Sequence, residues 1–267
     1  MLKDVTLGQY FPGDSIIHRL DPRVKIVWLV GYIVALFLAK GWGGYALMAA
    51  FLVTATAVAR IGARAMLKGM KPLVFIVAFT GIINLLYGTG EPLVEFWIFT
   101  ITLDGIKNAI FMVLRILLLV CGTFLLTYTT SPLQLTDGLE RLLNPLKKIK
   151  VPVHELSMMM SIALRFIPTL IEETDKIMSA QRARGASFDT GKLTERAKAL
   201  IPMLVPLFVS SFSRADELAT AMECRCYQGG EGRTRMKELH LHGYDAIALL
   251  CCAIIIAAVC VLRSFGL

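Results

Sequence analysis

The apolar runs of this chain are too long for the core of a soluble domain. Residues 26–59 contain one charged residue, Lys40, and this length exceeds the roughly 20 residues that one helix needs to cross a bilayer. Three glycines divide the run into a hairpin of two spans: Gly41, Gly43 and Gly44. The first of these spans, Ile26 to Ala39, is short. Three further candidate spans are Pro72 to Gly90, Asn108 to Tyr128 and Ala246 to Leu262. We therefore predict an all-α integral membrane protein with about five transmembrane helices.

The composition agrees with a membrane location. Hydrophobic residues make up 56% of the chain and charged residues 18%, and the mean hydropathy of +0.65 is far above that of ordinary soluble domains. We interpret the net charge of +8 as basic cytoplasmic loops rather than nucleic-acid binding. The six cysteines form no C-x-x-C pair, which argues against a zinc or disulfide framework. Three acidic residues argue against a cleaved N-terminal signal peptide: Asp4, Asp14 and Asp21.

The distribution of Lys and Arg predicts the sidedness of the chain. With five spans and the N-terminus inside, all but four of the 28 Lys and Arg residues fall on the inner side. The four exceptions are Lys40, Lys107, Arg115 and Arg263. Because cytoplasmic loops are enriched in Lys and Arg, we expect a multi-pass cell-membrane protein with a cytoplasmic N-terminus and an outer C-terminus. Residues 1–130 then hold four spans, 131–242 form a cytoplasmic subdomain, and 243–267 hold the last span.

Two features on the predicted outer side have open interpretations. Leu93 to Leu103 is apolar and β-branched, which suits either a short hairpin or an interfacial segment. Arg115 falls about two turns into the fourth span. It is either a functional intramembrane charge or a side chain that snorkels to the outer headgroups.

The cytoplasmic subdomain is predicted to contain one short and two long amphipathic helices. The first begins at the N-cap Ser131, with Gln134 completing a capping box, and ends at Asn144-Pro145. The second covers Pro152 to Arg184, and the third covers Leu193 to Tyr227. We expect two prolines to kink the third helix: Pro202 and Pro206.

Small residues and methionines suggest how the two long helices pack and bind. Ser211, Ala215 and Ala219 are four apart on one face, a spacing that lets two helices approach closely. We expect the two long helices to cross as a rigid unit, and a plain antiparallel hairpin is the alternative. Six of the twelve methionines lie between residues 158 and 222. Methionine surfaces repack against different partners, although ordinary filling of packing gaps is an equal alternative.

Both long helices end in an arginine tip. The triplets Ala183-Arg184-Gly185 and Cys224-Arg225-Cys226 lie forty-one positions apart, and the segments before them align without a gap. The matched pairs are Asp175 with Asp216, Ile177 with Leu218, Ser179 with Thr220 and Ala180 with Ala221. A guanidinium group offers five donors in a planar fork that suits a carboxylate. Two equivalent tips therefore predict docking into two similar sockets. Helix capping is the alternative for each arginine taken singly.

These motifs resemble the transmembrane coupling components, or T components, of energy-coupling factor (ECF) transporters, which are ATP-driven micronutrient importers. The sequences at Gly8–Ser15 and His18–Lys25 are typical of that family, and Gln181–Gly185 is similar to its first Ala-Arg-Gly motif. The second motif departs from the pattern, because Cys224 and Cys226 replace the usual Ala and Gly. The resemblance covers essentially the whole chain.

The resemblance implies a non-catalytic subunit that binds no cofactor itself. Two ATP-binding cassette ATPases would hold ATP and magnesium and receive the arginine tips in acidic grooves. One or more substrate-binding S components, which bind the vitamin or metal ion, would pack on the coupling helices and receive their motion. The surface assigned to the S component and to the helix crossing consists of Ser157, Met158, Ser161, Ser211, Ala215 and Ala219. The sequence agrees in lacking the G-x-x-x-x-G-K-[ST] phosphate loop.

Two other classes of function fit the residues less well. A stand-alone secondary transporter uses several intramembrane charges, whereas Arg115 is the one candidate in the predicted spans. For an intramembrane enzyme, His154-Glu155 lacks the second His of the H-E-x-x-H zinc motif. His240-x-His242 beside Asp245 is better explained as a polar turn before the last span. We therefore predict no catalytic residue and no metal ligand.

Overall fold

The computed structural model describes residues 10–86, 92–96, 99–186, 193–230 and 241–265. Its elements are α1 (Ile16–Arg19), α2 (Pro22–Leu38), α3 (Trp42–Ala59), α4 (Ala63–Met70), α5 (Val74–Leu86), β1 (Pro92–Phe96), β2 (Phe99–Thr102), α6 (Leu103–Thr129), α7 (Pro132–Leu143), α8 (Val153–Ala183), α9 (Leu193–Cys224) and α10 (Gly243–Ser264). The chain divides into two compact units, one built on residues 8–139 and 239–267 and the other on residues 140–238. We call them the membrane unit and the amphipathic unit. The predicted assignment of 131–242 to the cytoplasm stays a prediction.

Four helical segments of the described chain are long and apolar enough to cross a membrane: Trp42–Ala59, Ala63–Leu85, Gly105–Thr129 and Gly243–Ser264. They confirm an all-α membrane protein and correspond to four of the predicted spans. The remaining predicted span, Ile26 to Ala39, lies in α2, whose 17 residues extend about 25 Å, near the lower limit for crossing a bilayer. The basic stretch between the second and third predicted spans is helical over α4, which continues into α5 through a 3-10 turn at Lys71–Leu73.

The core of the membrane unit forms where α2, α3, α6 and α10 meet. Tyr32, Leu36, Met48 and Val259 are at most 2% exposed. Tyr32 packs flat on Trp28, with ring centroids 5.7 Å apart, and its hydroxyl donates to the carbonyl of Leu118 at 3.1 Å. A Cβ at Gly122 would overlap the Tyr32 ring, so glycine permits this close approach of α6 to α2.

The N-terminal motif at residues 18–25 forms hydrogen bonds that join the ends of α1, α2, α6 and α10. Asp21 caps α2 by accepting from the Arg23 amide at 2.9 Å, and the Asp21 amide donates to Asp245 Oδ1 at 2.9 Å. Lys25 Nζ donates to the carbonyls of His18 at 3.1 Å and Thr129 at 2.9 Å. Lys25 is only 4% exposed, so these two carbonyls hold a buried amine.

The segment between α5 and α6 forms a two-stranded antiparallel hairpin, the first of its two predicted interpretations. In the backbone register Glu95 pairs with Thr100 and Phe96 with Phe99, with an irregularity between Pro92 and Val94. Thr102 then begins α6, because its hydroxyl accepts from the amide of Gly105 at 3.0 Å.

The three helices predicted within residues 131–227 are present, and α9 ends at Cys224, three residues before the predicted end at Tyr227. At the start of α7 the Ser131 amide donates to Gln134 Oε1 and the Gln134 amide donates to Ser131 Oγ, each at 3.3 Å, which confirms the capping box. A 3-10 segment, Asn144–Ile149, follows α7. The two long helices, α8 and α9, remain helical across their internal prolines: Pro168, Pro202 and Pro206.

Candidate functional site: two arginine-capped helix ends

The first arginine tip is a helix end closed by a Schellman motif. Arg184 is the C-cap of α8, and Gly185 follows with a left-handed φ of 91°. The Gly185 amide donates to the Arg182 carbonyl and the Ala186 amide to the Gln181 carbonyl, both at 3.0 Å. These two bonds satisfy carbonyls that a helix end otherwise leaves unpaired. The Arg184 side chain remains exposed beyond them.

The second tip is closed by the same motif with a different residue at its centre. The amide of Cys226 donates to the Glu223 carbonyl at 2.8 Å, and that of Tyr227 donates to the Met222 carbonyl at 3.0 Å. Cys226 has a φ of 54°, a left-handed conformation that costs an L-residue with a Cβ about 1–2 kcal/mol. Arg225 therefore occupies the same capping position as Arg184, but its cap carries a strain that Gly185 avoids.

The match between the two helices extends upstream from the tips. The hydroxyl of Ser179 donates to the Asp175 carbonyl at 2.8 Å, and at the matched position of α9 the Thr220 hydroxyl donates to the Asp216 carbonyl at 2.9 Å. The forty-one-residue repeat found in the sequence is therefore a repeat of hydrogen bonds as well as of residue types.

A contact between matched positions shows how α8 and α9 are arranged. Arg214 donates to Glu173 Oε2 at 2.7 Å, and these two residues are themselves forty-one apart. When matched residues of two antiparallel helices touch, a local two-fold axis passes between them. Each arginine tip lies eleven residues from this contact, about 16 Å along its own helix. The tips therefore occupy opposite ends of the pair, at matched distances from its centre.

Both tips are suited to binding an acidic partner. Arg184 and Arg225 are exposed, and neither forms an ion pair with another described residue. Each guanidinium group therefore has its donors available for a carboxylate, which it can hold in a bidentate pair. Cys224 and Cys226 are also exposed, as free thiols.

The small-residue face predicted for the helix crossing is not where α8 and α9 meet. Ala215 and Ala219 are exposed, and the half-buried Ser211 donates within its own helix to Leu207 at 2.7 Å. The contacts between the helices instead join Glu173 to Arg214 and Gln181 to Pro202. Partner numbers fall along α9 as they rise along α8, so the helices are antiparallel. This antiparallel arrangement corresponds to the hairpin alternative, and Ala215 and Ala219 are exposed rather than packed between the helices.

The remaining predicted residues lie near the N-terminus of α8. Ser157 is buried, and its hydroxyl donates to Glu140 Oε2 at 2.6 Å. The sulfur of Met158 accepts from the Tyr227 hydroxyl at 3.0 Å, and Ser161 is half-buried. Binding of an S component by these residues stays a prediction.

Sequence reasoning missed a polar cluster at this end of α8. Glu140 binds two side chains, Ser157 and His154, whose Nδ1 lies 3.0 Å from Glu140 Oε1. A Cβ at Gly230 would overlap the His154 ring, so the chain that follows the second tip passes directly over this histidine. The sequence had no signal for the cluster, because its polar members come from two different helices, α7 and α8.

The two candidate polar sites of the membrane unit have structural explanations. Asp245 is 1% exposed and accepts from the His242 amide at 2.7 Å, as expected for a polar turn before the last span; His240 lies outside the described residues. Arg115 Nε donates to the Tyr45 hydroxyl at 2.9 Å, and its guanidinium lies 5.5 Å from the Phe37 ring centroid. Since Phe37 lies in the last turn of α2 and Tyr45 in the first turn of α3, Arg115 lies level with the connection between them, which favours snorkelling.

Comparison with known proteins extends these observations. Residues 13–236 match a family described as cobalt transport protein, CbiQ. The energy-coupling factor transporter transmembrane protein EcfT of Clostridium kluyveri is 53% identical over 258 residues, which cover 96% of each chain. The protein of the same name from Bacillus subtilis is 46% identical over 265 residues, 99% of this chain and 100% of that protein. The corresponding protein of Lactococcus lactis is 44% identical over 250 residues, 93% of this chain and 94% of its own.

Proposed function

Because the chain belongs to the family of energy-coupling factor transporter transmembrane proteins, we propose that it couples two ATP-binding cassette ATPases to import of a micronutrient. Arg184 and Arg225 dock into one ATPase each. The observation that carries this proposal is the identical Schellman cap that presents both arginines at opposite ends of one helix pair. ATP and magnesium belong to the ATPases, and this subunit itself is not an enzyme.

The arrangement of the tips supports a pair of similar sockets. Two tips related by a local two-fold axis fit two homologous grooves that are related in the same way. An acidic groove supplies the carboxylates that an exposed guanidinium binds bidentately. If the pair becomes desolvated on docking, removal of one partner costs about 2–5 kcal/mol of binding free energy. Motion of the two sockets then acts on both ends of the α8–α9 pair.

An apolar stripe on α9 supports a second partner, the S component that binds the vitamin or metal ion. Its large side chains are all exposed and recur at helical spacing: Ile201, Leu204, Val205, Phe208 and Phe212. Met159 and Met160 are also exposed on α8. Exposed apolar patches of this kind mark interaction sites, and methionine allows different partners to be accommodated. We infer that several S components share this subunit.

The docking proposal is tested by charge reversal at the tips. The detergent-extracted complex is purified through a tag on this chain, and the ATPases that accompany it are quantified. We expect Arg184→Glu with Arg225→Glu to abolish recovery of both ATPases, because each new carboxylate repels an acidic groove. Arg165→Glu is the matched control, since Arg165 is exposed on α8 but remote from its end.

Retention of both ATPases by the double variant would contradict the docking proposal. Each single variant should lose one ATPase preferentially if the sockets are distinct.

The same purifications, made from cells grown with different vitamin supplies, identify the S components. Recovery of one S component under every condition would argue against a shared subunit.

A further inference from the structure

The membrane unit contains an open apolar cavity of about 520 Å³. It lies at the end of the unit where α2 and α10 begin and α3 and α6 end. Its walls include Ile17, Trp28, Phe51, Leu125 and Ile247. Protein interiors rarely contain voids larger than a water molecule, and this volume lies in the range of pockets that hold small organic ligands.

The chemistry of the walls indicates what fills this space. A buried water needs two to four polar partners, and the walls are mostly aliphatic and aromatic, with Lys25 as their one charged residue. An empty cavity would leave these side chains without dispersion contacts. Three of the surrounding helices, α3, α6 and α10, are long and apolar enough to span a membrane, so the bilayer surrounds this unit. A flexible alkyl chain from the bilayer would make these dispersion contacts.

The cavity also has one charged group, which points to a particular kind of alkyl chain. Lys25 lines it while remaining 4% exposed. Its ammonium carries three donors, and two of them are used by the carbonyls of His18 and Thr129. Two exposed arginines are adjacent in sequence to segments that line the cavity. Arg19 directly precedes the lining residue Leu20, and Arg60 directly follows α3, which contributes several lining residues.

We propose that this cavity binds one acyl chain of an anionic phospholipid. The chain lies among the apolar side chains of α2, α3, α6 and α10. An ester or phosphate oxygen accepts the third hydrogen of the Lys25 ammonium, and Arg19 attracts the negative headgroup. This site is separate from the arginine tips and does not depend on ATPase docking.

The proposal is tested with the full-length protein in nanodiscs that contain spin-labelled phosphatidylglycerol or phosphatidylcholine. Ala248→Phe places a ring in the cavity, whose wall includes Ala248. Ala253→Phe is the control, because Ala253 is exposed on the same helix and is not part of the wall. We expect Ala248→Phe, but not Ala253→Phe, to reduce the immobilised lipid by about one molecule per protein.

The charged end is tested by the lipid preference. The wild-type site should hold phosphatidylglycerol about tenfold more tightly than phosphatidylcholine, as expected for one charge-assisted contact. Lys25→Met and Arg19→Gln should each reduce that preference. Arg19→Gln keeps the test decisive if Lys25→Met lowers stability. If Ala248→Phe and Ala253→Phe bound equal amounts of lipid, the site would be overturned. If the wild type bound both lipids with equal affinity, the anionic preference would be overturned.

Discussion

Cys226 occupies a backbone position that strongly favours glycine. Its φ of 54° contrasts with the 91° of Gly185 at the matched position, yet both caps keep the same two hydrogen bonds. A side-chain contact follows the second tip, because the Tyr227 hydroxyl donates to the sulfur of Met158 on α8. The two tips are thus alike in geometry but differ in how they are stabilised.

This difference predicts opposite effects of substitutions at the two caps. Gly185→Ala should weaken the first cap by about 1 kcal/mol, because a Cβ is disfavoured in the left-handed region. Cys226→Gly should strengthen the second by up to about 1 kcal/mol, partly offset by the greater flexibility of glycine in the unfolded chain. Hydrogen exchange of the Ala186 and Tyr227 amides measures both effects.

Cys224→Ala provides the control for the cysteine substitution. Cys224 is the last helical residue of α9, so its replacement by alanine relieves no left-handed strain and should leave the Tyr227 amide unchanged. Slower exchange in Cys224→Ala, or faster exchange in Cys226→Gly, would show that strain at Cys226 is not the cause.

At the scale of elements, α8 and α9 form an antiparallel pair centred on one ion pair. Glu173 and Arg214 are partly exposed, at 25% and 35% of their side-chain areas. Such pairs contribute little free energy, so this contact sets the register of the helices more than it holds them together. The apolar stripe of α9 remains exposed.

A double-mutant cycle should measure this pair. We expect Glu173→Ala and Arg214→Ala to show a coupling free energy of about 0.5–1 kcal/mol in the thermal unfolding of the purified protein. Glu172→Ala serves as the comparison, because Glu172 is exposed beside Glu173 and should show no coupling to Arg214. Equal coupling of Arg214 to both glutamates would indicate a diffuse charge effect and not a specific contact.

At the scale of the whole molecule, the number of crossings depends on α2. Four other segments have the length and hydropathy of spans, and an even number of crossings would place both termini on one side. Tyr32, Ala35 and Leu36 of α2 are buried in the core that α3, α6 and α10 complete. A helix packed centrally among spanning helices must share their depth in the bilayer, which favours five crossings.

Reporter fusions should decide this topology. With five crossings and a cytoplasmic N-terminus, alkaline phosphatase fused after Leu267 should be active and green fluorescent protein at the same place should be dark. A fusion after Leu143, at the end of α7, is predicted to show the reverse. If α2 did not cross and the N-terminus stayed cytoplasmic, the two results would be exchanged: the fusion after Leu267 would fluoresce and the phosphatase fused after Leu143 would be active.

The sequence alone determined the features that depend on neighbouring residues. The ends of α7, α8 and α9 follow from caps and turns, and the matched tips follow from a repeat, because each involves hydrogen bonds within a few residues. The apolar runs likewise determined the membrane class, since a bilayer requires continuous hydropathy. Even the departure at Cys226 was visible in the motif, although its left-handed backbone was not.

Only the tertiary structure decided the features that join distant segments. The Glu173–Arg214 contact replaced the predicted small-residue crossing, and Glu140 assembled a cluster with His154 and Ser157. The position of Arg115 beside the connection between α2 and α3 became clear only from the ends of those helices. The cavity beside Lys25 is formed by five converging segments. Helical periodicity specifies which face of a helix is apolar, but not which partner covers it. That choice depends on packing among all the helices at once.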